Sequence, residues 1–326
     1  MAALFRLPSF AFALVALLAL QAPSSAQNLI VNADAEVGSL AGWTAVSGTG
    51  LKTSNSAVYA GLLSFTGGIT GPGGAYMQES AQTISLAAYT AMIDAGSAVS
   101  VFSCAGRSNA ASGVSDPGRV RLEFISASNT ILSSYDTGVF SPFNVWNTYS
   151  DVRVLPAGVR NVRVRMTVSR PGGASTDAFI DALDLRIEAA AAPYCTAKIN
   201  SQGCLPTIHG TGAAKLSAST LVIGAGDVIN QKAGLLFYGF TPTATPFQGG
   251  TLCIAAPTVR TPIQQSGGSV SGADCTGAYT YAWTSAALTA AGFTVGQVVY
   301  CQYWSRDPAS ASTTGLTAAV RFRVAP

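Results

Sequence analysis

Charge is scarce in this sequence: Lys, Arg, Asp and Glu together make up 10% of 326 residues, while glycine alone occupies 34 positions. So little charge leaves no material for a set of amphipathic helices and suits short strands with many turns, which is an all-β class. Histidine occurs once, at His209, in a Gly/Thr loop with no nucleophile elbow beside it, which removes a Ser-His-Asp hydrolase. Without a histidine cluster or a Cys-x-x-Cys pair, zinc spacing is also missing. No glycine-rich phosphate loop follows a strand and opens a helix, so Gly267-Gly268 and its neighbours are ordinary turns. Residues 28–190 carry ten Lys+Arg against twelve Asp+Glu, and residues 191–326 carry seven against three. Neither half has the dense basic field on which nucleic-acid binding relies. Past the N-terminus, no apolar run is long enough to span a bilayer.

The first 26 residues combine Arg6, an apolar run over residues 10–20 and the small-residue exit Ser24-Ser25-Ala26. This is the three-part pattern of a secretory signal, with cleavage expected near Ala26 and an extracellular mature chain starting near Gln27. The remaining 300 or so residues exceed the usual limit of one core, so two domains are expected. Strand patterns follow. In Arg119–Phe124, Val120, Leu122 and Phe124 alternate with Arg119, Arg121 and Glu123; in Val162–Val168, Val162, Val164, Met166 and Val168 alternate with Arg163 and Arg165. This is how antiparallel sandwich strands with one buried face read. The small-residue tract Glu188–Pro193 places a boundary near residue 190. The expected organisation is therefore a signal peptide over 1–26, a β-sandwich over 27–190 and a smaller disulfide-stabilised β domain over 191–326.

Three segments carry a resemblance: Asn28-Leu-Ile-Val-Asn-Ala-Asp-Ala-Glu36 with Gly42-Trp43, the middle stretch Met77–Leu86, and the closing Ala178-Phe-Ile-Asp-Ala-Leu-Asp-Leu185. In order and spacing, roughly residues 28–188 resemble the galactose-binding-like jelly rolls that include many carbohydrate-binding modules. Ala35 stands where such modules usually carry an aromatic residue. The second half, through Tyr194–Pro206, Gly234–Gly239, Pro246–Cys253 and Cys301–Pro308, resembles a cysteine-containing C-terminal module of secreted bacterial proteins, a likeness that conveys no chemistry. Its relatives tend to end in a cysteine where this chain has Ala325.

Six cysteines behind a signal segment favour disulfides. Spacing pairs Cys195 with Cys204, which enclose a short loop, and Cys253 with Cys275, which bracket a Pro/Gly/Ser-rich excursion. Cys104 and Cys301 are then either buried thiols or a bridge between the domains.

The acidic ends of the first domain suggest a structural Ca²⁺. Glu36 and Asp181, joined by backbone carbonyls and by Asp34 or Asp177, would supply the oxygens this ion prefers, and in the resembled jelly rolls such an ion staples the terminal strands. The alternative is that these carboxylates cap turns. Sugar recognition needs exposed aromatic faces and planar polar groups. The candidates are Arg107, Asn109 and Asp116 in one loop and Tyr135 and Phe143 near another, whereas Trp43 and Trp146 read as core. The outward Arg119, Arg121, Arg163 and Arg165 form either a cationic face for an acidic polysaccharide or cross-strand pairs with Glu123 or Asp151. Trp283, Tyr303 and Trp304 read as core, or as an aromatic patch for a partner or glycan. A glycosidase needs two carboxylates across a cleft, and Glu79, Asp94, Asp116 and Asp136 single out no such pair. The expected function is a secreted, non-catalytic protein that binds carbohydrate or another cell-surface ligand through its first domain. The competing reading is a structural or adhesive protein that binds protein partners and has no sugar site.

Overall fold

The computed structural model describes residues 27–69, 76–111 and 114–326. The expected signal segment and the turn Gly71–Gly74 lie outside the described residues. Among the described residues the fold is all-β, with two short α-helices, Thr90–Asp94 and Ser285–Ala290. Strands β1 (Thr44–Ser47), β2 (Lys52–Ser54), β3 (Ser64–Ile69), β4 (Tyr76–Ser85) and β5 (Ala98–Arg107) are followed by the small hairpin β6 (Asn109–Ala111) and β7 (Val114–Asp116). Then come β8 (Gly118–Ile125), β9 (Ile131–Asp136), β10 (Asn147–Val154), β11 (Asn161–Arg170) and β12 (Ser175–Ala189). They form two five-stranded antiparallel sheets, in the orders β1-β4-β11-β8-β9 and β10-β5-β12-β3-β2. From β3 to β5, and again from β9 to β12, the chain crosses from one sheet to the other, the winding of a jelly-roll sandwich.

The alternation read from sequence is what closes this sandwich. Val120, Leu122, Phe124, Val162, Val164, Met166 and Val168 are all fully buried and meet Phe65, Phe102 and Leu185 from the opposite sheet. Trp43 joins the same cluster and packs edge-on against Phe65, with centroids 5.7 Å apart. Gly106 makes room for the buried Phe140 ring, because a Cβ there would fall 2.4 Å from its Cζ. Seating that ring anchors the loop that follows Phe140.

The second half begins with β13 (Ala191–Tyr194), two residues after β12 ends. It continues through β14 (Thr207–Thr211), β15 (Leu221–Val228), β16 (Ala233–Gly239), β17 (Pro242–Phe247), β18 (Gly250–Ile254), β19 (Val259–Arg260), β20 (Gln264–Gln265), β21 (Gly277–Trp283), β22 (Val298–Arg306) and β23 (Thr314–Arg323). A sheet ordered β13-β23-β22-β16-β19, with β20 also on β16, packs against a three-stranded sheet, β14-β15-β21. Between them lie Leu236, Tyr238, Trp283, Tyr303 and Phe322. Trp283 and Tyr303 are thus core, while Trp304, one residue on, turns to the other face and is half-buried. A small apolar cluster of Val99, Val152, Ala190, Ala213 and Ala325 joins the halves, and Arg323 meets Glu188 at 3.3 Å beside it.

The expected cysteine pairing is wrong. The bridges are Cys195–Cys253 and Cys204–Cys275, while Cys104 and Cys301 are buried free thiols. The local loop needs no bridge, because Asn200 closes it alone: its Oδ1 accepts from the amides of Gln202 and Cys204 at 3.0 and 3.1 Å. The loop lies instead along the sheet, through Lys198 N to Leu316 O and Ser201 N to Asp307 Oδ2, which carries its two cysteines to different partners. Short spacing counts for little once both ends of a loop are pinned elsewhere. Bridges spanning 58 and 71 residues constrain the unfolded chain by about 4 kcal/mol each on the chain-entropy account.

Peptide mapping without reduction should therefore recover these two bridges. Thiol counting should find two thiols in the unfolded protein and none reactive in the native one, since burial holds Cys104 up near 12 and raises Cys301 further. Replacing Cys195 and Cys253 together by Ser should lower unfolding free energy by about 2–4 kcal/mol in a denaturant titration.

Candidate functional site

Three groups of polar side chains stand out on the first sandwich. The first closes it. Asp181, fully buried on β12, accepts from the amides of Tyr59 and Ala60 through Oδ2 and from Ala182 N through Oδ1, at 2.7–3.1 Å. Glu36 Oε1 accepts from Leu62 N and Leu63 N at 2.7 and 2.8 Å. The two acids thus grip one loop, residues 59–63, from opposite ends of the sequence. Burial raises the Asp181 pKa above the ordinary carboxylate value, and the nearby Glu36 charge adds to the rise. No ion pair among the described residues gives either acid a cationic partner. The partners of both carboxylates are backbone amides, and among the described residues no group of three or more His, Cys, Asp or Glu side chains could hold a metal ion. The other two expected ligands make different contacts. Asp34 is exposed and binds the Glu36 amide, and Asp177 lies elsewhere along β12, next to Asp116. The pairing of β12 is interrupted between Thr176 and Phe179 and again between Asp181 and Asp184.

The second group is the arginine face. Its cations are paired, mainly as the cross-strand alternative expected. Glu123, only 2% exposed, receives Arg121, Arg163 and Arg165 at 3.5, 3.2 and 3.4 Å, and Arg165 also reaches Glu79 at 2.5 Å. Arg119 pairs with Asp136 at 2.7 Å. Asp151 is taken by Arg153 instead. The groove over this face, about 390 Å³, is thus walled by arginines that are already engaged in ion pairs.

The third group lies at the loop end and gathers the residues read from Arg107 to Asp116. In the β6–β7 hairpin, Asn109 stands opposite Asp116. Arg107 Nε holds Asn109 Oδ1 at 3.0 Å. Asn144, from the loop anchored by Phe140, exchanges both amide bonds with Ala110 at 2.9 Å and so stitches the second loop to the first. From the start of β12, Asp177 N donates to Asp116 Oδ2 at 2.9 Å, and Ser175 Oγ donates to Asp177 Oδ2 at 2.8 Å. Asn109, Ala110, Asp116, Asn144, Ser175 and Asp177 line a cavity of about 230 Å³, whereas Arg107 is not among its lining residues. Asp116 is only 8% exposed, and its Oδ1 is buried without a hydrogen-bond partner. Burial raises its pKa, with the Asp177 charge contributing in the same direction and Arg170 opposing. A buried acceptor without a partner is costly.

Two aromatic candidates are not part of this site. Tyr135 turns into the sandwich, 6.0 Å from Phe102 and beneath the Arg153 guanidinium, and burial pushes its hydroxyl up to about 12. Its place among the partly buried core residues follows from β9 alternation, in which position 135 faces in and 136 out. Phe143 is half-buried beside Asn144 but does not line the cavity. Trp146, read as core, is half-buried and packs on the exposed Tyr59 with centroids 5.6 Å apart. Sequence reasoning missed Asn144 and Ser175, and it placed Asp177 at the wrong end of its strand. Nothing local marks Asn144 beyond its left-handed backbone, φ 63°, a conformation Asn tolerates.

No protein-family model matches this chain, and no curated protein sequence does. Among solved structures it is similar to the enzymatically active domain of tailspike protein 4 of bacteriophage CBA120, at 14% identity over 49% of this chain and 21% of that one, with TM-score 0.36. It is also similar to a CBM61 module solved with β-1,4-galactotriose, at 15% identity over 50% of this chain and 99% of that one, with TM-score 0.34. A third is the xylan-binding CBM22-1 domain of Xyn10C from Paenibacillus barcinonensis, at 16% identity over 51% and 99%, with TM-score 0.34.

The raised Asp116 pKa has a measurable consequence. The folded state binds this proton more tightly than the unfolded chain does, so the residue's contribution is greatest below the unfolded value and is lost as pH rises through the folded one. Asp116→Asn keeps an acceptor for the Asp177 amide and removes the titration. Urea melts from about pH 4 to pH 7 should show the variant gaining stability relative to the parent as pH rises; a constant difference would contradict this account.

Proposed function

We propose that the protein is an exported, non-catalytic binding protein with two modules, residues 27–190 and 191–326, and that the first recognises carbohydrate at its loop-end cavity. The observation that carries this reading is a loop-end cavity lined by the polar side chains of Asn109, Asp116, Asn144, Ser175 and Asp177. Sugar hydroxyls are donors that also accept, and carboxylates beside carboxamides are the planar groups that bind vicinal pairs of them. The loops are stitched to one another before any ligand arrives, so little ordering entropy would be lost on binding. Four disulfide-bonded cysteines support export, since such bridges persist in oxidising compartments. The second module acts as a spacer or anchor. The alternative of an adhesive protein without a sugar site draws on the lack of any aromatic side chain lining this cavity.

A structural Ca²⁺ belongs to the same reading. Glu36 and Asp181 would hold it, and it would supply the positive charge those two carboxylates lack, while their bonds to the 59–63 loop keep the strand ends together.

A glycan array probed with the full chain in calcium should show a restricted set of bound sugars. Asp116→Asn, which keeps an acceptor for the Asp177 amide, should reduce that binding at least tenfold while the protein stays folded, and an empty array would favour the adhesive reading. Chelator should lower the melting temperature of the parent and leave Glu36→Gln unaffected, because an ion bound only to the native state must add stability.

A further inference from the structure

The second module contains a cavity that the carbohydrate reading does not use. About 360 Å³ lies between the β17–β18 hairpin and the outer face of β16 and β22. Leu235, Phe237, Phe247, Leu252, Ile254 and Trp304 form its walls. Along β16, Leu236 and Tyr238 point into the core while Leu235 and Phe237 point the other way, so this strand is apolar on both faces. An antiparallel strand facing water is expected to be polar on its outer side.

The space is held open covalently and by hydrogen bonds. Cys253 of β18 is bridged to Cys195. Gln302 of β22 accepts from Cys253 N at 3.0 Å and donates to Thr251 O at 2.9 Å. At the hairpin tip, Lys198 Nζ donates to Gln248 O at 3.1 Å and Trp304 Nε1 to Gln248 Oε1 at 3.2 Å. Each of these contacts fixes the hairpin relative to the sheet, so the hairpin cannot settle onto Leu235 and Phe237 to fill the gap. The cavity is preformed, as small-molecule sites generally are.

Its rim is cationic. Arg260 lines the mouth and is exposed, and the Arg306 guanidinium lies 5.3 Å from the Trp304 ring centroid. Neither arginine takes part in an ion pair among the described residues. The acids of this half are engaged elsewhere: Asp227 with Thr207, Asp274 with Thr276, and Asp307 with Ser201 N. A walled apolar space with uncompensated guanidinium at its opening selects a molecule with a hydrocarbon body and one negative head.

We propose that this cavity binds a soluble amphiphilic anion of the fatty-acid class, its chain against Leu252, Phe247 and Trp304 and its carboxylate at Arg260. The site is independent of the sugar cavity. Dodecanoate and dodecyltrimethylammonium, which share a tail and differ in the sign of the head, test it when titrated calorimetrically into the full chain below their micelle concentrations. Saturable one-site binding of dodecanoate, at least tenfold tighter than that of the cation, is expected. Arg260→Ala, an exposed position that leaves the fold intact, should weaken dodecanoate about tenfold without changing the cation. Ala256→Trp, at the lining edge, should abolish binding of both while the melting temperature is kept. Equal affinity for the two heads, dodecanoate binding indifferent to Arg260→Ala, or no saturable binding would overturn the proposal. So would sedimentation with phosphatidylglycerol vesicles in the absence of dodecanoate binding, since that would assign the cationic rim to a membrane surface.

Discussion

The first sandwich depends on one junction, where its opening segment is tied to its last strand. Asn28 makes the tie on one side, with its side chain donating to Leu183 O and accepting from Leu185 N, while Leu29 N reaches Leu185 O. Asp181 and Glu36 complete it by gripping the 59–63 loop from both ends of the sequence. A carboxylate that is fully buried survives only if its lone pairs are filled, and Asp181 fills them with backbone amides that have no strand partner of their own. The same bonds serve both sides: the loop's amides are satisfied and the acid is solvated by them. Ala35 sits fully buried at the turn, in a left-handed conformation, so the position without an aromatic residue is filled by backbone close to the core.

That junction has consequences at the far end of the molecule. β12 carries Asp181 at its middle and Asp177 near its start, with an irregularity in its pairing between them. Anchoring the strand by Asp181 fixes where Asp177 emerges, and the Asp177 amide in turn fixes the Asp116 carboxylate. The loop-end cavity is therefore built on a strand that the core already holds in place, as a precise polar site requires. The two buried acids differ in their hydrogen bonds: both oxygens of Asp181 accept from backbone amides, whereas Asp116 accepts through Oδ2 and its buried Oδ1 has no hydrogen-bond partner.

The two modules handle charge in opposite ways. In the first, arginines and glutamates on the outer sheet face are interleaved across strands, and Glu123 is shared by three guanidinium groups, so the face is structural and nearly neutral. In the second, acids are few and turned to loop hydroxyls and amides, which leaves cations such as Arg260 free at the surface. Its disulfides cross between distant segments, and Cys195–Cys253 ties the β17–β18 hairpin to the segment after β13. Rigidity in the first module comes from buried hydrogen bonds, and in the second largely from covalent clamps.

What the sequence by itself determined was whatever repeats with a short period. Alternation in Val120–Phe124 and Val162–Val168 announced strands, their inward faces and hence a sandwich, because a side-chain period of two can bury one face only. The proximity of Asn109 and Asp116 was legible for a similar reason: both residues belong to one hairpin, and local geometry brings them together. Only the tertiary structure decided the contacts that depend on how distant segments cross. The disulfide partners are one case, since Cys195 and Cys204 are close in sequence but sit on a loop pinned across the sheet to different neighbours. Asp177 is another: a pairing irregularity between Thr176 and Phe179 interrupts the strand between it and Asp181, and no periodic pattern records a bulge. Tyr135 and Trp146 are the last, for an aromatic near a turn goes in or out according to the space left by the opposite sheet, and that space is a property of the packed pair of sheets.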